Sequence, residues 1–254
     1  MDGARVLCVQ LSDLDPPARL GAWLRDEGVE LDVVHVAGGA VPASLDQHDA
    51  LVVLGGEAGA YDDLHHSWLS AVRGLLSSAV AREELVLAIG LGAHLLAVAT
   101  GGQVRAAAGG PERGTLLVAK RDAAAEDPLF GPLPLLPDVL QFHDDEVTQL
   151  PPSAQQLAAS PKCENQAFRV GARAYGLQFH IETTPDMVRT WADQLDADEA
   201  ISTIRTGQLD PAHLDEFHAD LDETWRPFVQ RFARVAATPP GRRNPNRMLP
   251  LADD

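Results

Sequence analysis

The sequence predicts an α/β fold built on a mostly parallel sheet, covered on both faces and extended by antiparallel strands. Three observations carry this. Short, continuous apolar runs alternate with amphipathic helical stretches over the first hundred residues, the pattern of parallel strands joined by helices. Glycines close the third and fourth of those runs, so sharp turns follow them. From Gly114 onward the runs are short, strand-like and separated by little helix.

The elements follow in order. "RVLCVQL", Arg5 to Leu11, reads as the first buried strand. Leu20, Trp23 and Leu24 recur at helical spacing, with Gly28 as a stop. "VELDVVHV" is the second strand, and "DALVVLGG", Asp49 to Gly56, is the third. Trp68, Leu69, Val72, Leu75, Leu76 and Val80 mark an amphipathic helix, with Ser67 as its N-cap. "LVLAI" is the fourth strand. It turns at Gly90 into a helix whose buried stripe is Leu91, Leu95 and Val98, closed by Gly101 and Gly102. In parallel sheets, ligands bind beyond the carboxyl ends of the strands. The Gly55–Gly56 pair and Gly90 therefore mark the candidate site.

Beyond Gly114, "GTLLVAK", "VLQFHDDEVTQL", "QQLAAS", "QAFRV" and "AYGLQFHIE" read as a mixed or antiparallel extension of the same sheet. "PDMVRTWADQL" and "PAHLDEFHADLDETWRPFVQRFARVAA" are helices. Residues 1–236 form one expected domain. The Pro-, Arg- and Asn-rich residues 237–254 form an expected disordered tail. No internal repeat appears.

Composition narrows the function classes. The 254 residues carry a formal net charge of -17, which disfavours nucleic acid and anionic membranes as partners. Two cysteines, Cys8 and Cys163, are too few for a disulfide framework. With no signal pattern and no apolar run of membrane-spanning length, the expected location is the cytoplasm. The Gly-Leu-Gly at 90–92 lacks the Lys-Ser/Thr of a phosphate loop, and no G-x-S-x-G elbow is present.

In "VVLGGEAGAYDD", "AIGLGAHLLA", "QFHDDEVTQLP", "SPKCENQAFRVG" and "GLQFHIE", taken in that order over residues 5 to 195, the chain resembles class I glutamine amidotransferases, most of all the stand-alone GMP-synthase-like members. The resemblance implies a flavodoxin-like three-layer sandwich. It implies glutamine hydrolysis through a thioester, with ammonia passed to a synthetase. On the family pattern, Gly55 and Gly56 supply the oxyanion strand. His180 is the general base, Glu182 orients it, and Gly90 occupies the nucleophile position, where the family has cysteine. The pocket group is Gly55, Gly56, Glu57, Leu91 and His94.

Without a thiolate at the elbow the family chemistry cannot run. The neighbours also depart from the pattern. Glu57 sets a carboxylate beside the oxyanion strand, His94 stands where a glutamine-holding Gln is usual, Ile181 replaces Pro, and Ala88 replaces Gly. Glycine at position 90 relaxes a turn that strains any residue with a side chain.

Three readings follow. The first is a pseudoenzyme, acting through a small-molecule ligand in the former glutamine pocket or through a synthetase or homo-oligomeric partner. The second is an enzyme of altered, non-thioester chemistry using His180, Glu182, His94 and Glu57, with His143 nearby and metal assistance as a variant. The third is an active amidotransferase whose elbow has been changed. No cofactor and no resident metal are expected. "YDDLHHSW" is read as a loop and helix cap at the pocket rim, and "FHDDEV" as structural.

Overall fold

The computed structural model describes residues 3–37 and 40–238. Among these residues twelve strands run in chain order: β1 Arg5–Gln10, β2 Glu30–His35, β3 Ala50–Val53, β4 Leu85–Ile89, β5 Gln103–Ala106, β6 Glu112–Leu117, β7 Ala119–Lys120, β8 Asp138–His143, β9 Asp145–Gln149, β10 Ala154–Ala159, β11 Ala167–Val170 and β12 Ala174–Leu177. The helices are α1 Ala18–Asp26, α2 Trp68–Ala81, α3 Leu91–Ala99, α4 Pro185–Ala192, α5 Ala197–Thr203 and α6 Pro211–Ala236.

Eight strands form the central sheet, in the order β2-β1-β3-β4-β12-β11-β10-β7. The first five run parallel, and β11, β10 and β7 extend them antiparallel. Strand alternation sends neighbouring residues to opposite faces. Val6 and Cys8 of β1 join a core completed by Trp23 and Leu24 of α1 and Trp225 and Phe228 of α6. Leu7 and Val9 join a second core with Leu69, Val72 and Leu76 of α2 and Leu95 and Leu96 of α3. The result is the expected three layers.

Several details differ from the sequence expectation. The later strands do not all extend one sheet: β5 pairs with β9, and β6 with β8, as separate two-stranded sheets. "GTLLVAK" and "VLQFHDDEVTQL" each split in two, because Glu112 pairs across to His143 while β7 turns back to β10. The strand "AYGLQFHIE" ends at Leu177, so the run to Glu182 is not strand. Ser67 precedes α2 but its side chain makes no capping hydrogen bond, since its own backbone is already helical at φ -58, ψ -20. Helix α5 has no counterpart in the expected elements. The tail expected over 237–254 lies outside the described residues from 239 on. Ala237 still belongs to the last turn of α6, its N–H bonded to the Ala233 carbonyl at 2.9 Å.

Candidate active site

The site gathers at the carboxyl ends of β1, β3, β4 and β12, which are neighbours in the sheet. Gly90 forms the turn from β4 into α3 with φ +55 and ψ -122, a conformation that disfavours any side chain. Its N–H is fixed on the Leu177 carbonyl at 2.8 Å. A Cβ placed on Gly90 would lie 2.9 Å from His180 Cε1, 3.1 Å from His180 Nε2 and 3.3 Å from Gly55 Cα. A side chain at position 90 would therefore point straight at the His180 ring. The turn tolerates no slack on its other side either: a Cβ on Gly92 would collide with the Val53 carbonyl.

His180 and Glu182 lie past the end of β12, so strand alternation does not pair them. The backbone of His180 bridges to Leu140 of β8, its N–H donating at 2.8 Å and its carbonyl accepting at 3.3 Å. The Glu182 carbonyl accepts from the Arg19 N–H of α1 at 3.0 Å. Between these anchors, His180 Nδ1 meets Glu182 Oε1 at 2.7 Å, and Glu182 Oε2 accepts from the Ile181 N–H at 2.9 Å. Burial alone would depress the imidazole pKa, but the Glu182 and Asp15 carboxylates prevail and hold it above its ordinary value. The ring also meets Trp191 edge-on at 4.7 Å.

Sequence reasoning missed Asp15. It is buried, and its Oδ1 would lie 2.6 Å from a Cβ on Gly55, beside the imidazole. Burial lifts its carboxyl from 3.8 to about 7; His180 opposes this and Glu182 and Glu57 add to it. Nothing in "LSDLDPP" marks the residue, because only the fold brings this loop against His180. Trp191 pins the loop, its indole N–H donating to the Leu14 carbonyl at 3.0 Å.

The other expected residues divide. Gly56 and Leu91 line the same pocket as Gly90 and His180, as do Glu57 and His94. As the first residue of α3, Leu91 has an N–H with no intrahelical acceptor. Glu57 is exposed and accepts from the Ser12 hydroxyl at 2.9 Å. His94 is buried with Nε2 2.8 Å from Gln178 Oε1, and burial lowers its pKa. Gln178 is a second residue not foreseen. Its Oε1 also accepts from the Val147 N–H, and its Nε2 donates to Cys163 Sγ and the Asn165 carbonyl. His143 bonds the Asp145 carbonyl through Nδ1, and burial pushes its pKa down to about 3. In "YDDLHHSW", Tyr61 accepts the Val104 N–H at 3.2 Å and His65 pairs with Asp62 at 2.6 Å.

Neither cysteine lines this pocket. Cys8 is buried within β1 and Cys163 behind Gln178, and burial pushes both thiols up to about 12. A metal fits poorly. Asp15, His180 and Glu182 offer ligand atoms within 4.8 Å of one another. Yet both Glu182 oxygens and His180 Nδ1 are already bonded, which leaves two free donors where a zinc site uses three or four. His94, spent on Gln178, does not join them.

The pocket encloses about 390 Å³ and is also lined by Arg113, Phe142 and Trp191. The glutamine amidotransferase class-I family model matches residues 21–190. The chain is 27% identical over 200 residues to gamma-glutamyl peptidase 3 of Arabidopsis thaliana, covering 73% of this chain and 79% of that one. It is 34% identical over 113 residues to a subunit of the glutamine-hydrolyzing GMP synthase of Pyrococcus abyssi, covering 42% and 58%. The structure of a glutamine amidotransferase from Thermotoga maritima superposes with a TM-score of 0.80 at 25% identity, covering 94% of this chain and 100% of that one. Among the described residues no helix is long and apolar enough to cross a membrane.

Proposed function

The chain belongs to the class-I glutamine amidotransferase family, and from that premise we propose that it is a pseudoenzyme that binds a small γ-glutamyl-type ligand without thioester chemistry. The observation that supports this most is the elbow. Gly90 takes the nucleophile's place against His180 and carries no reactive atom, while both thiols are buried and held protonated. What remains is a cradle, a base and an orienter around a pocket of about 390 Å³. The ligand class comes from the relatives, which include a gamma-glutamyl peptidase and a glutamine-hydrolyzing synthase. A synthetase or a second copy of the chain would be the partner that senses the bound ligand.

A second reading rests on Asp15. With His180 basic and a carboxyl near neutrality beside it, water activated by His180 would attack an amide directly, and Asp15 would protonate the leaving amine.

Ammonia release from L-glutamine separates these. The chain as it stands should release none above background, and Gly90→Cys should do no better. A Cβ at position 90 would lie 2.9 Å from His180 Cε1, so the ring must shift to admit it, and the backbone there, at φ +55, strains any side chain. Enzyme-like release by the unaltered chain would overturn the pseudoenzyme reading. Release by Gly90→Cys alone would mean that only the nucleophile has been lost.

A further inference from the structure

The pocket's far wall names a group that its ligand must carry, an inference that rests on the ligand-binding reading above. Arg113 of β6 lines the same pocket as Gly90 and His180, with only 3% of its side chain exposed. A guanidinium this buried needs an anionic partner. It has two: Asp144 Oδ1 at 2.5 Å and Glu199 Oε1 at 2.8 Å, with the Thr203 hydroxyl at 3.3 Å. Both acids reach it from the surface, their side chains 67% and 38% exposed. Its Nε is buried and has no partner among the described residues. The cation is therefore fixed and incompletely satisfied, while its acids return to water at little cost.

An aromatic wall joins Arg113 to the base. The guanidinium carbon lies 5.5 Å from the Phe142 centroid, Phe142 lies 5.3 Å from Trp191, and Trp191 lies 4.7 Å from His180. Phe142 and Trp191 both face the pocket. The wall gives a short methylene chain an apolar surface along which to lie, between the elbow at one end and the cation at the other.

We infer that Arg113 is the carboxylate anchor of this pocket. A ligand sets its amide against Gly90 and His180, lays its methylenes along Trp191 and Phe142, and presents its free α-carboxylate to the guanidinium in place of Asp144. The planar fork of Arg suits this two-oxygen acceptor. Asp144 and Glu199 hold the charge until the ligand arrives.

Calorimetric titration of the full chain with L-glutamine, γ-glutamylglycine and 4-aminobutanamide, which is glutamine without its α-carboxylate, tests this. The first two should bind ~10–100-fold more tightly than the third. Arg113→Gln should collapse that ratio to within ~3-fold, and Arg113→Lys should keep part of it. Asp144→Asn, which leaves Arg113 in place, should tighten the two carboxylate probes and leave 4-aminobutanamide unchanged. Equal binding of the three probes, or an unchanged ratio in Arg113→Gln, overturns the anchor and leaves the pocket reading standing. Binding of none of them overturns the pocket reading and the anchor with it.

Discussion

At the elbow end of the pocket, Gly55, Gly90 and Gly92 are packed so closely that one added methyl meets Asp15, His180 or the Val53 carbonyl. At the other end, Arg113 is held by Asp144 and Glu199, which reach in from the surface. The first end is fixed by sterics and by backbone hydrogen bonds that cross the sheet. The second is fixed by exchangeable charge. A change of residue is therefore costly at the elbow unless it removes atoms, and glycine at position 90 does that. The charged end keeps its means of holding a ligand whether or not the elbow reacts.

The contrast can be broken most sharply at Gly92. Gly92→Ala drives a methyl into backbone that cannot move without the sheet, and should cost about 3 kcal/mol or more. A urea midpoint unchanged from the native chain would show that the elbow has more slack than its geometry allows.

Asp15 gives an effect of similar size that only pH reveals. Its carboxyl sits near 7 in the folded chain against 3.8 for the free group, raised first by burial. The folded state thus holds this proton more tightly than the unfolded state, and stability falls as pH rises from about 4 to about 7. Asp15→Asn cannot ionise. Relative to the native chain it should gain roughly 4 kcal/mol by about pH 8 and nothing at about pH 4. A gain at the acid end instead would mean that the carboxylate is welcome beside His180.

Asp144→Asn should have the smallest effect on stability, within about 0.5 kcal/mol, because its carboxylate is exposed and Glu199 still serves Arg113. A loss above about 2 kcal/mol would make the charged end as rigid as the elbow.

The parallel half of the fold was legible because its strands are continuous apolar runs with helices between them, and the glycines at 55, 56 and 90 marked where they end. The pairing of β6 with β8 was not, since the two strands are joined by residues 118–137, a long connection that also holds β7, which pairs elsewhere. β5 carries the largely exposed "QVRA", which has no strand signature. At the site, the sequence placed Gly90, His180 and Glu182 together, although for His180 and Glu182 through an alternation the strand does not sustain. Glu57 and His94 line the same pocket, with Glu57 accepting from Ser12 and His94 bonded to Gln178, partners that the sequence did not show. Asp15, Gln178 and Arg113 were invisible because their roles exist only across sheet neighbours and loops far apart in the chain.

One measurement bears most directly on the central claim. The chain is incubated with γ-glutamylglycine and followed by ligand-observed NMR over hours. Saturable line broadening or saturation transfer, with the dipeptide recovered intact, is the predicted result. Glutamate and glycine accumulating in proportion to protein concentration, and still accumulating when Cys8 and Cys163 are both changed to Ser, would contradict it.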